Sequence, residues 1–281
     1  MHVVNVIEPQ IQQLLAVLVQ RDSFTAHHQD VEYFLVIIDR DSNSTQPFQH
    51  IAEQLNFRCR SAEPVGQNPF MNKWAWLQAF PELQQSDQVA LCDWDIVCTA
   101  AANWPELTPG TVAARKNPVD MYRWRCRSNP TIQRLRGVTD EGDIPTSVNS
   151  GVLIAAGADL CRLTQRQFEV FQDLNAAEPV APDWEFEQLA ASLAIGSVGW
   201  QPLEDRWNVT PTSPVDDDDV VLWHYNDGNE HTWRMKRDLL SDSVVRTCMD
   251  ALRPRWPQTM ARHWHIYEKA VLSPVFQPFR K

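Results

Sequence analysis

Apolar residues fall along this chain in two alternating rhythms. Short continuous runs occupy His2–Ile7 (HVVNVI), Tyr33–Ile38 (YFLVII), Gln88–Cys92 (QVALC), Thr111–Ala114, Val152–Ala156 and Val220–Tyr225. Brief apolar runs bounded by polar residues fit strands buried on both faces. Between them, apolar positions return at helical spacing over Gln10–Gln20, Pro47–Leu55, Pro69–Phe80, Gln165–Asn175 and Trp184–Leu193. Strands separated by helices predict an α/β fold with a mainly parallel sheet covered on both faces. In such sheets ligands bind beyond the carboxyl ends of the strands, so chemistry is expected just after each apolar run.

The length of 281 residues fits a single core. The expected division is a catalytic domain over 1–245 and a basic, aromatic extension over 246–281. From Arg253 to Lys281 six basic residues face one acid, Glu268. With His263, Trp264, Tyr267 and Phe276, that charge suggests peripheral membrane contact through the tail. Pro274 and Pro278 argue against one continuous amphipathic helix there. A net charge of −11 excludes a general nucleic-acid binder, which needs a broad basic face. Neither a transmembrane run nor a signal peptide is apparent. Six widely spaced cysteines without a CxxC pair read as reduced thiols in a cytoplasmic protein. A second basic cluster, Arg115, Lys116, Arg123, Arg125, Arg127, Arg134 and Arg136, suits contact with an anionic ligand.

The strongest candidate chemistry follows the third apolar run, in LCDWDIV. An extended backbone would project Asp93 and Asp95 to one side and Trp94 to the other. Two carboxylates so close resist ionising together unless a cation lies between them. Their oxygen donors favour Mn²⁺ or Mg²⁺. Val148-Asn149-Ser150-Gly151 precedes an apolar strand: Gly151 would admit a ligand close to the backbone, and Asn149 and Ser150 offer hydrogen bonds to hydroxyls. Glu187 and Gln188 pair a carboxylate with an amide near a helix start. His224 ends the last apolar run, where it can complete a coordination shell.

LCDWDIV, TSVNSGVLIA, EFEQLAASLAI, RWNVTP and VLWHYNDG occur in the order of the motifs of GT-A-fold glycosyltransferases. The chain most resembles glycosyltransferase family 8, the galactosyltransferase and glycogenin group, from about Asn72 to Trp233. The resemblance implies a metal-dependent transfer of a sugar from a nucleotide-sugar donor, a UDP-sugar, to a hydroxyl acceptor, with retention of configuration. It implies that Asp93, Asp95 and His224 hold the metal. Asn149 matches a residue touching the donor sugar, within the segment that also carries Ser150 and Gly151. Glu187 and Gln188 match a catalytic Asp-Gln pair, and Lys73 matches a lysine near the nucleotide sugar. The family's Lys-Pro-Trp after the metal histidine is missing; His231, Arg234 or Lys236 are left to meet the diphosphate. That gap motivates a second reading, a GT-A domain that binds nucleotide or glycan without turnover. Asp93-Trp-Asp95-Ile-Val97 also satisfies the DxDx[TV] signature of haloacid-dehalogenase-type phosphatases, although there the strand normally lies near the N-terminus.

Overall fold

The computed structural model describes residues 1–66, 69–117, 147–177, 184–225 and 229–280. Five of the clustered arginines (123, 125, 127, 134, 136) and residues 226–228 lie outside the described residues.

Nine strands are described: β1 (His2–Ile7), β2 (Glu32–Ile38), β3 (Arg58–Ala62), β4 (Val89–Cys92), β5 (Ile96–Cys98), β6 (Val112–Lys116), β7 (Val148–Ala155), β8 (Trp200–Pro202) and β9 (Leu222–His224). The described helices are α1 (Ile11–His27), α2 (Ser42–Gln54), α3 (Trp76–Ala79), α4 (Gly157–Ala177), α5 (Trp184–Val198), α6 (Glu230–Arg237), α7 (Asp242–Leu252) and α8 (Pro257–Val271). Pro69–Ala75, expected to be α-helical, is a 3₁₀ turn leading into α3.

Seven strands form one sheet in the order β3-β2-β1-β4-β7-β6-β8. Its neighbours are parallel except where β7 runs against β4 and β6. The architecture is therefore mixed α/β with a mostly parallel central sheet. Alternation along β2 sends Tyr33, Leu35 and Ile37 to one face and Phe34, Val36 and Ile38 to the other. The first face packs on α1, α7 and α8, the second on α4 and α5. Burying each such Leu, Ile or Phe contributes about 1.5–3 kcal/mol, which is why the runs are continuous and not alternating.

The C-terminal residues belong to this core. Met260, His263, Tyr267, Ala270 and Val271 line the buried face of α8, and Trp256 and Phe276 are fully buried beside it. Trp264 packs against the same cluster with Arg246 over its ring. These aromatic side chains are engaged in packing, so the membrane contact expected of the tail finds no support. No helix among the described residues is long and apolar enough to cross a membrane.

The acidic run Asp216–Asp219 has a structural role. Pro257 opens α8 and its own preceding residue provides no side-chain cap. Asp217 accepts instead from the Gln258 and Thr259 amides at 2.6 and 3.1 Å. This satisfies two free N–H groups and places a negative charge at the positive end of the helix. Asp217→Ala is expected to cost about 1 kcal/mol, read as a lower urea midpoint at unchanged m-value.

Candidate active site

The DxD segment is a turn. After β4 the chain bends at Trp94 and Asp95, and β5 leaves the main sheet to pair antiparallel with β9. The extended passage expected through both aspartates is not what the structure contains. The carboxylates meet because of the bend, and the imidazole joins them because of strand register. Ile96 lies opposite His224, and the Tyr225 amide donates to the Asp95 carbonyl at 3.0 Å. His224 Nε2 consequently stands 3.4 Å from Asp95 Oδ1 and 3.9 Å from Asp93 Oδ2. One ligand atom from each of the three residues falls within 4.8 Å of the others.

Hydrogen-bond logic fixes how the imidazole is presented. The Gly151 amide can only donate, so the atom of Asn149 that it meets at 2.9 Å is Oδ1. The same oxygen, at 3.1 Å from Asn208, therefore faces Nδ2, which leaves Asn208 Oδ1 toward His224 Nδ1 at 2.8 Å. That oxygen needs a donor, so Nδ1 carries a proton. In a neutral ring the Nε2 lone pair then points at the aspartates, the arrangement a metal-ligating histidine requires. All three side chains of this relay are buried. Asn208 lies within the RWNVTP motif, but nothing in the sequence marks it as the partner of His224.

Gly151 is glycine for the sake of this imidazole. A Cβ there would lie 2.2 Å from His224 Cε1 and 2.8 Å from Nδ1.

The carboxylates are balanced by two lysines. Lys73 Nζ lies 2.9 Å from Asp93 Oδ1 and 3.4 Å from Glu187 Oε1, and donates to the Ser150 carbonyl and hydroxyl. Burial alone would favour a neutral Lys73, but Asp93 and Glu187 outweigh it and raise its pKa. Lys236, on α6, pairs with Asp95 and lies 4.8 Å from the centre of the Trp94 ring. Burial would push the Asp95 carboxyl up; the Lys236 ammonium and His224 hold it far below the usual carboxylate range. Glu187 is the exception among the acids. Burial, reinforced by the Asp93 charge, raises its pKa despite opposition from Lys73, Ser150 and Gln167.

The remaining expected residues are placed as follows. Glu187 Oε2 accepts from the Ser150 hydroxyl at 2.7 Å and Oε1 from Gln167 at 3.0 Å. Gln188 is buried beside it and accepts from Asn117 at 3.0 Å. Asn149, Ser150 and Gly151 thus all lie in the described cluster, bonded to other side chains or to each other. His231 opens α6, where its contacts are with Glu230 and Asn229. The cation of that helix which reaches the aspartates is Lys236. Arg115 is buried with Nη1 2.7 Å from the Ser213 hydroxyl.

No family model matches the sequence, and no curated protein matches it. Solved structures do match. One is a galactosyltransferase, LgtC, in complex with donor and acceptor sugar analogues, at a TM-score of 0.59 and 14% identity, with 98% of each chain covered. An active-site Gln-to-Glu variant of LgtC gives a TM-score of 0.54 and 15% identity, covering 90% of this chain and 95% of that one. The apo form of the glycosyltransferase GlyE of Streptococcus pneumoniae gives 0.53 and 13%, covering 95% of this chain and 62% of the other. At these identities the likeness establishes the fold: a mostly parallel α/β sheet of the GT-A kind found in these glycosyltransferases.

Gly151→Ala is expected to destabilise the chain by about 1–3 kcal/mol, because the His224 ring must move from a packed position. In a His224→Ala background the ring is gone and only Asn149 Oδ1, at 3.0 Å, crowds the added Cβ, so the same change should cost less. Urea unfolding of the four chains of this cycle checks the coupling.

Proposed function

We propose that this chain is a metal-dependent glycosyltransferase of the family 8 type, moving a sugar from a UDP-sugar to a hydroxyl acceptor with retention. The observation that carries the reading is the gathering of Asp93, Asp95 and His224, with the imidazole Nε2 facing the two carboxylates.

Two carboxylates and an imidazole are a donor set suited to Mn²⁺, or to Mg²⁺ with water in the remaining positions. A bound ion would act as Lewis acid toward the diphosphate that leaves when the glycosidic bond to the donor breaks. The protein's own groups do the rest. Lys73, held beside Asp93, offers a fixed positive charge to the diphosphate. Lys236 fills the place left by the absent lysine after His224; on metal binding it would exchange Asp95 for phosphate oxygen. Glu187 and Gln188 face the donor sugar, and the hydrogen bonds from Ser150, Gln167 and Asn117 hold them in fixed rotamers. Every residue in this proposal falls within 1–245, and 246–281 serves as a packed extension.

A second reading has one specific observation behind it. Lys236 already neutralises Asp95, so the cleft can meet a nucleotide with a lysine in place of a metal, binding without turnover.

Thermal unfolding with UDP and UDP-sugars, with and without Mn²⁺, separates the two. The catalytic reading expects stabilisation that needs both nucleotide and Mn²⁺, and slow hydrolysis of at least one donor. Asp95→Asn should abolish the Mn²⁺-dependent part and lower hydrolysis by about a hundredfold or more. Stabilisation by nucleotide that ignores Mn²⁺, with every donor intact, selects the binding reading.

A further inference from the structure

The turn bearing Asp93 and Asp95 lies between two sheets, outside the ladder of either. Its outward amide, on Asp93, is tied to the Gly151 carbonyl at 2.8 Å. Its inward carbonyls meet two buried amide side chains, Asn5 and Gln20, with the Tyr33 hydroxyl behind them. Asn5 interrupts the core-facing residues of β1, Gln20 follows Leu18 and Val19 on α1, and Tyr33 begins the apolar run of β2. Asn5 and Gln20 are fully buried, and Tyr33 is 9% exposed.

Asn5 Nδ2 donates to the Cys92 carbonyl at 2.7 Å and to the Asp93 carbonyl at 3.2 Å. Gln20 Nε2 donates to the same Asp93 carbonyl at 2.9 Å. A carbonyl can only accept, so both amides must turn their NH₂ groups toward it and their oxygens away. Those two oxygens converge on one donor, the Tyr33 hydroxyl. Burial keeps the Tyr33 phenol far above its ordinary pKa, so it remains a donor. The single hydroxyl proton is shared between the two amide oxygens as a three-centre bond, and the two amides, turned by their own donation to the carbonyl, hold one peptide.

Each of these groups costs free energy to bury unless it is fully bonded. Apolar residues would serve the packing of β1 and α1 better, so their worth lies in what they hold. We propose that Asn5, Gln20 and Tyr33 form a positioning relay that fixes the Asp93 peptide and thereby aims the paired carboxylates at a divalent cation. The inference rests on the metal-dependent reading above. These are positioning residues; they reach the cation only through the backbone of Asp93.

The test uses purified full-length chains and Mn²⁺ alone, with free ion counted by electron paramagnetic resonance. Urea unfolding in chelator gives the stability of each variant separately. Tyr33→Phe removes a single oxygen, and Gln20→Met keeps side-chain length while removing the amide. Thr164→Val is the comparison: this buried hydroxyl bonds Trp76 Nε1 and the Leu160 carbonyl on the opposite face of the sheet. All three should lose stability. Only Tyr33→Phe and Gln20→Met should bind Mn²⁺ more weakly, by about tenfold or more, as for other groups that orient metal ligands. If Gln20→Met fails to fold, Tyr33→Phe alone decides. Wild-type Mn²⁺ affinity in Tyr33→Phe overturns the relay while leaving the metal reading intact. A wild-type chain that takes up no Mn²⁺ overturns both.

Discussion

Carboxylates gathered where two of the three are buried repel one another, and the groups around this site answer that repulsion. Two like charges about 4 Å apart near a protein surface oppose each other by about 4 kcal/mol. Asp93, Asp95 and Glu187 are brought together regardless, and each is met by a cation or a hydrogen-bond donor. Lys73 stands between Asp93 and Glu187, Lys236 on Asp95, and Ser150 and Gln167 on Glu187. Lysines held by ion pairs can be displaced by a stronger cation, whereas an apolar plug could not. The cleft is thereby stable without a metal yet suited to one.

Strand register supplies the third member of the group. The small β5–β9 sheet is short, yet it carries His224 to the aspartates across more than a hundred residues of sequence. Its precision depends on Gly151 leaving space for the ring and on Asn208 holding it from behind. A two-stranded sheet is marginal by itself. Here it is backed by the α1–α8 core, in which Ile96, Val97, Leu222 and Trp223 are all buried.

Five of the seven strands of the large sheet were legible because burial on both faces leaves continuous apolar runs, as in YFLVII; the edge strands β3 (RCRSA) and β8 (WQP) carry no such run and escaped. The candidate site was legible where chemistry follows such a run, at Asp93, Asp95 and His224. What could not be read were partners supplied by tertiary structure. Lys236 was one of three cations left open beside His231 and Arg234, and only its pairing with Asp95 selects it; Asn208 looks like any loop amide until its neighbours are seen. The bend at Trp94 escaped because periodicity describes strands and not the turns between them. In the tail the prolines were read correctly, since α8 ends at Val271 and no single helix runs through Pro274 and Pro278; what escaped was that its aromatic side chains pack into the core. Pro274 and Pro278 lie beyond the end of α8, and Pro257 occupies the first turn, where proline is tolerated.

One consequence follows from the single reversed strand. Because β7 opposes its neighbours, its amino end emerges at the same rim where β4 and β6 finish, and the Asn117 amide bonds the Ser147 carbonyl there at 2.9 Å. Asn117 and Ser147 therefore stand at one rim of the sheet, and the Asn117 side chain there also donates to Gln188 beside the acidic cluster. One antiparallel strand thereby lets three neighbouring strands lend polar side chains to the same rim, Asp93 after β4, Asn117 after β6, and Asn149 and Ser150 from β7.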